Sequence, residues 1–280
     1  LNFAAANPPL VAGKSILMLC SEIFPQFCGG IDERRNMSVT NILGELIATH
    51  STNEEQQWLG GQLTGSTAGI LTAFVAAPRF ITRRPVQPGE ATRLPLAELV
   101  PGWQVDGWPL DRLVRVFLLL HLETREKPAY ARSIETLFDT AELHELTALY
   151  SALPVLAYPE HWVFRATEAV RSNMGPVFDA IAFGNPYPAA HFSEAAWNQL
   201  VLKCIFNDKP IHRLVGLDRR ANQHLAEHVS DFAHERWAAG RQVPPSVWRL
   251  VGRFMNETLF DDIDTLANSP VLQNRQAARL

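Results

Sequence analysis

The chain has 280 residues, 47% of them hydrophobic and 19% charged, with a formal net charge of −4. This composition fits one large or two smaller folded domains with a sizeable core and excludes general disorder. The slight acidity gives nucleic acid no electrostatic reason to bind, and no apolar run approaches the roughly 20 residues that a bilayer span needs.

Residues 1–36 carry irregular proline and glycine, no clean period and two of the three cysteines, Cys20 and Cys28. They read as an N-terminal extension, either poorly ordered or untranslated, because MSVTNILGELIATH from Met37 looks like a natural start followed by a capped helix. Ile42, Leu43, Leu46 and Ile47 mark one face of that helix. Thr52 and Glu55 form a capping box that opens the next helix through Trp58. Residues 66–77 spell a small, very apolar helix that Pro78 should end. Pro78, Pro85, Pro88, Pro95 and Pro101 then crowd the longest irregular section, read as a connection or flap. The organisation is therefore 1–36 as extension, 37–102 as N-terminal helices with a proline-rich connection, and 103–280 as the main helical domain.

The main body opens near Trp108. Pro109 suits a first helical turn, and LDRLVRVFLLLHLE follows. A helix over 130–138 leads to Asp139 and Glu142, read as a capping box for the helix ending near Ala152. Pro159 opens another helix, with Trp162, Ala166, Ala169 and Val170 inward. Further helices are expected at 175–183, 193–207, 219–239 (capped by Asp218 and closed by Gly240), 245–253, 256–267 and 270–279. No alternating strand is convincing. The fold class is all-α: antiparallel helices stacked side by side in an irregular α-solenoid-like, repeat-like array without a strict repeat.

The unusual polar residues gather at 173–241. Asn185, Asn198, Lys203, Asp218, Arg219, Arg220, Asn222, His234, Glu235 and Arg236 interrupt apolar segments, and Tyr187 is held between two prolines. Arg219 and Arg220 at a helix start could hold a phosphate or carboxylate; the plainer reading pairs them with nearby acids. Lys203 reads as snorkelling to solvent. Asp231, His234 and Glu235 form a second constellation, which is an ion-pair network, a ligand pocket or, with Arg220 or Arg236, the heart of an unfamiliar helical active site. His224-Leu-Ala-Glu-His228 sets two imidazoles one turn apart beside Glu227, the pattern of a zinc hydrolase. No third ligand is apparent, so a solvated face is the plainer reading and no metal is expected. Asp261, Asp262 and Asp264 give only a weak echo of a magnesium motif. There is no nucleophile elbow, no Walker A sequence and no GxGxxG, so no cofactor is expected and the catalytic residues stay unknown. Cys204 reads as a buried, inert thiol, and the odd cysteine count without CxxC fits a reducing, cytoplasmic setting.

Four segments in order, NPYPA (185–189), WNQLVLKCIF (197–206), GLDRRAN (216–222) and DFAHERWAAGR (231–241), resemble the EboA-domain family. The resemblance runs from about Trp108 to Phe254. It implies a role in metabolite traffic, the transport of a secondary-metabolite precursor. The chain would then act as a non-catalytic ligand-binding or scaffold protein. Its expected partners are cluster-encoded biosynthetic enzymes or a small hydrophobic metabolite, with no nucleic acid and no membrane span. Peripheral membrane contact stays open through short apolar runs such as AGILTAFVAA (68–77).

Overall fold

The computed structural model describes residues 31–279; the extension expected at 1–36 falls mostly outside them, as do Cys20 and Cys28. The described residues are all-α, with two isolated bridges: Pro85 pairs with Pro109 and Phe183 with Leu214. The N-terminal part holds α1 (Ile31–His50), α2 (Asn53–Leu63), α3 (Thr67–Phe80) and α4 (Glu90–Leu99). The middle holds α5 (Leu110–Leu119), α6 (Lys127–Thr140), α7 (Leu143–Ala152), α8 (Val163–Arg171) and α9 (Gly175–Ala182). The C-terminal part holds α10 (Tyr187–His191), α11 (Glu194–Phe206), α12 (Leu217–Arg220), α13 (Gln223–Ala238), α14 (Glu257–Ala267) and α15 (Leu272–Ala277).

Alternate helices make a row: α3 packs on α5, α5 on α7 and α7 on α9. α1 lies against α4 and α5, while α8, α11, α13 and α14 continue the stack from α9. One cluster of buried side chains runs through the whole array, from Val39 to Ala277. Trp162, Trp197 and Trp248 are among its largest fully buried members. Each such large apolar side chain contributes on the order of 2 kcal/mol or more.

Local chemistry explains where sequence expectations hold and where they shift. The Thr52–Glu55 capping box forms, and Glu55 also accepts from Thr82 N at 2.7 Å. Pro78 does not end α3, which runs on to Phe80. Proline at that position leaves the Phe74 carbonyl without its helical donor. The buried Arg115 supplies one, donating from Nε to Phe74 O at 2.9 Å. The proline-rich section is not wholly irregular, because α4 forms around Pro95 and buries Leu96. Asp139 belongs to α6; the reciprocal cap lies three residues on, where Glu145 accepts from Glu142 N at 2.9 Å. Residues 245–250 form a 3-10 helix rather than an α-helix, as do 159–162 ahead of α8.

The long helix begins at Gln223, not near Arg219. Asn222 is extended and its Oδ1 accepts from Leu225 N at 2.9 Å, so Asn222 is the cap. Asp218 is drawn away by a two-point ion pair with Arg249, Nε to Oδ1 at 2.9 Å and Nη2 to Oδ2 at 2.5 Å.

Candidate functional site

A groove of about 550 Å³ lies between α11 and α13, lined by Glu194, Ala195, Asn198, Gln199, Leu202, Lys203, Phe206, Asn207, His224 and His228. Its geometry starts from two caps. Ser193 Oγ accepts from Ala196 N at 3.3 Å and starts α11, and Asn222 starts α13. The helices are then tied side by side by a reciprocal amide pair. Asn222 Nδ2 donates to Asn198 Oδ1 at 2.8 Å, and Asn198 Nδ2 donates to Asn222 Oδ1 at 3.1 Å. Asn198 is buried and Asn222 half-buried, so the pair satisfies the Asn198 amide, which water hardly reaches.

α11 is apolar on two sides. Trp197, Leu200, Val201 and Cys204 enter the core, whereas Ala195, Leu202 and Phe206 line the groove. Phe206 is 57% exposed and contacts the Phe232 ring at 5.2 Å between centroids. At the rim, His224 Nδ1 lies 2.9 Å from Glu194 Oε1. That carboxylate raises the imidazole's pKa above its ordinary value, first through the hydrogen bond and then through charge. The groove therefore combines an apolar stripe with amides, one lysine and two imidazoles, opposed by one carboxylate that is already engaged with His224.

Of the residues singled out in the sequence, Asn198, Lys203, His224 and His228 come together here, with Asn222 joined through the amide pair. Lys203 does not simply snorkel. Its Nζ donates to Val170 O and Ser172 O, each at 2.7 Å, closing the C-terminal end of α8, and sits 5.3 Å from the Phe178 ring centre. His224 and His228 share the groove, but among the described residues no group of three or more His, Cys, Asp or Glu side chains could hold a metal ion.

The other candidates lie elsewhere. Asn185 is buried; its Nδ2 donates to Tyr150 O and Ala180 O, both at 2.9 Å, and its Oδ1 accepts from Tyr187 N at 3.0 Å. Gly184 before it adopts φ 57, with Gln104 Cβ only 2.7 Å from where a side chain would begin, so the turn needs glycine. Tyr187 is buried and donates its hydroxyl to Pro159 O, and burial pushes its pKa up. Arg220 donates to Ala189 O at 2.8 Å and Phe192 O at 2.9 Å and covers the Trp197 ring. Arg219 is exposed. Arg236 donates to Gln242 O at 2.6 Å.

His234 does not meet Asp231 or Glu235, both of which are exposed. Its Nε2 lies 2.6 Å from Oδ1 of the buried Asp262, whose Oδ2 accepts from Ser230 Oγ at 2.5 Å. This cluster fastens α14 to α13.

The sequence reading also passed over a buried ionic centre joining α3, α5 and α7. Arg115 Nη1 donates to Asp111 Oδ2 at 3.3 Å, and Nη2 lies 3.6 Å from Glu145 Oε1. All three side chains are buried. The four-residue spacing of Asp111 and Arg115 was the available signal, but it reads as an ordinary surface pair until α3 and α7 cover it.

The array and its groove define an all-helical protein with a side-chain-lined recess between two capped, cross-linked helices. Residues 39–252 match the family model described as metabolite traffic protein EboA, and the chain belongs to that family. No curated protein and no solved structure matches the chain.

Proposed function

We infer that this protein serves metabolite traffic as a non-catalytic binding protein, holding a small amphiphilic metabolite between α11 and α13 and working beside cluster-encoded biosynthetic enzymes. The observation that carries this reading is the groove itself. Its volume of about 550 Å³ suits a small molecule, and its apolar stripe of Ala195, Leu202 and Phe206 runs beside Asn198, Gln199 and the two imidazoles. An apolar body would cover the stripe and desolvate Phe206, and a polar or anionic head would meet the Gln199 amide and the two imidazoles. The family's name supports the traffic role.

Farnesol and farnesyl diphosphate are suitable probes of apolar body and head group. Saturation-transfer NMR with the full chain should show transfer to the isoprenoid methyls of both, and stronger retention of the diphosphate. Leu202→Arg fills the stripe with a charge and should remove the transfer. Equal transfer in wild type and Leu202→Arg would defeat the assignment of the groove.

A further inference from the structure

On the reading of the groove between α11 and α13 as a metabolite site, we propose that the head group it selects is a single carboxylate and that Lys203 selects it. The ligand is then an amphiphilic monocarboxylic acid. Gln199, Lys203 and Asn207 recur every four residues, so they stack along one edge of α11 and its C-terminal cap, beside the apolar stripe. Asn207 turns its Nδ2 back to Lys203 O at 2.7 Å. The Lys203 ammonium has three N–H donors, of which Val170 O and Ser172 O take two, and the Phe178 ring lies 5.3 Å away. Two neutral carbonyls and an aromatic face leave its charge unbalanced. The carboxylate of Asp179, next to Phe178 in the chain, pairs with Lys209 at 2.5 Å instead. Glu194 is the one carboxylate in the groove lining, and His224 already holds it at 2.9 Å. The half-buried Lys203 therefore keeps one N–H and one positive charge for a ligand. Among the described residues the exposed Gln199 amide, one turn away, has no partner.

This wall discriminates between head groups by charge. A cationic head would meet the Lys203 ammonium and be repelled. A hydroxyl could take the spare N–H but would leave the lysine's charge unbalanced. A diphosphate brings several negative charges to a wall with one positive charge to spare. Glu194 at the rim, and Glu227 and Asp231 exposed on α13, add repulsion that grows with each of those charges. A lone carboxylate balances the lysine and adds no surplus. Its two oxygens also have separate donors, the spare N–H of Lys203 and the amide of Gln199, and a hydrogen bond with both partners charged is stronger than a neutral one. The apolar body then lies along Leu202 and Phe206, on the same face of α11 as Gln199.

Farnesoic acid, farnesol and farnesyl diphosphate share one body and differ in the head, so equilibrium titrations of the full chain with all three, followed by NMR, test the assignment. The acid should bind about tenfold more tightly than the alcohol, the expected gain from one charged hydrogen bond, with the diphosphate between them. Lys203→Met should bring the acid down to the alcohol and leave the alcohol itself within about twofold of wild type. Lys203 also closes α8, so a second variant guards against loss of the fold. Gln199→Leu touches an exposed side chain, should leave the melting curve unchanged, and should lower the ratio of acid to alcohol affinity about threefold. Acid and alcohol binding equally to wild type, or the diphosphate binding tightest, overturns the carboxylate assignment while the groove stands as a metabolite site. An acid preference that survives in Gln199→Leu and in folded Lys203→Met also overturns it. Failure of all three ligands to bind overturns the metabolite reading as well.

Discussion

Replacing Asn222 by alanine should loosen the groove at its base. The side chain caps α13 through Leu225 N and exchanges two hydrogen bonds with Asn198. Loss of the cap costs about 1 kcal/mol. The abandoned amide of Asn198 is 7% exposed, and leaving it unpaired costs about 1–3 kcal/mol more. The expected loss for Asn222→Ala is therefore roughly 2–4 kcal/mol. Asn222→Asp keeps the acceptor for Leu225 N but removes the donor to Asn198 Oδ1, so it should fall between wild type and alanine. Asn198→Ala keeps the cap and should cost about 1 kcal/mol, since the half-buried Asn222 can turn to water. The double variant should cost less than the sum of the singles, because either change alone breaks the pair. Urea unfolding of wild type and the four variants measures this directly. Strict additivity, or an Asn222→Ala loss within about 0.5 kcal/mol of zero, would refute the amide-pair account.

Arg115→Met removes the cation between Asp111 and Glu145 and the donor to Phe74 O; breaking such a buried pair costs about 3–5 kcal/mol. At about 2–4 °C per kcal/mol the melting temperature should drop by roughly 6–20 °C, and a shift under about 3 °C would contradict the account. The Cys204 thiol, pushed up to about 12 by burial, should ignore a thiol reagent until denaturant opens the fold; rapid labelling of native protein would count against its placement. Glu194 keeps the His224 imidazole protonated to higher pH than usual, so the attraction between them is present below the raised value and fades as pH rises through it. An NMR titration should show that midpoint fall towards the ordinary histidine range in Glu194→Gln; an unmoved midpoint would remove Glu194 as its cause.

Much of the helical order was legible because period and caps speak locally. Thr52 with Glu55, and the apolar face of Ile42, Leu43, Leu46 and Ile47, needed no tertiary knowledge. What escaped depended on distant partners. Pro78 looked like a stop because the donor that rescues the Phe74 carbonyl comes from Arg115, on another helix. Asp218 looked like a cap because its competitor for charge, Arg249, is remote in sequence. The same limit applied to the site. WNQLVLKCIF drew notice through Asn198 and Lys203, yet the apolar stripe of the groove comes from Ala195, Leu202 and Phe206, the second apolar side of the same helix. A helix apolar on two sides was the usable signal. Conversely, Asn185, Tyr187 and Arg220 looked like ligand contacts because polar groups in apolar sequence are rare. Each turns out to satisfy backbone carbonyls or turns.

The central claim is that the groove between α11 and α13 holds a small metabolite, and native mass spectrometry tests it most directly. Wild-type protein and Leu202→Arg would be purified gently from a host that expresses the neighbouring genes. The account predicts a non-protein mass on the wild type that is missing from the variant. Bare wild-type protein, or an adduct of equal occupancy on both, would contradict it.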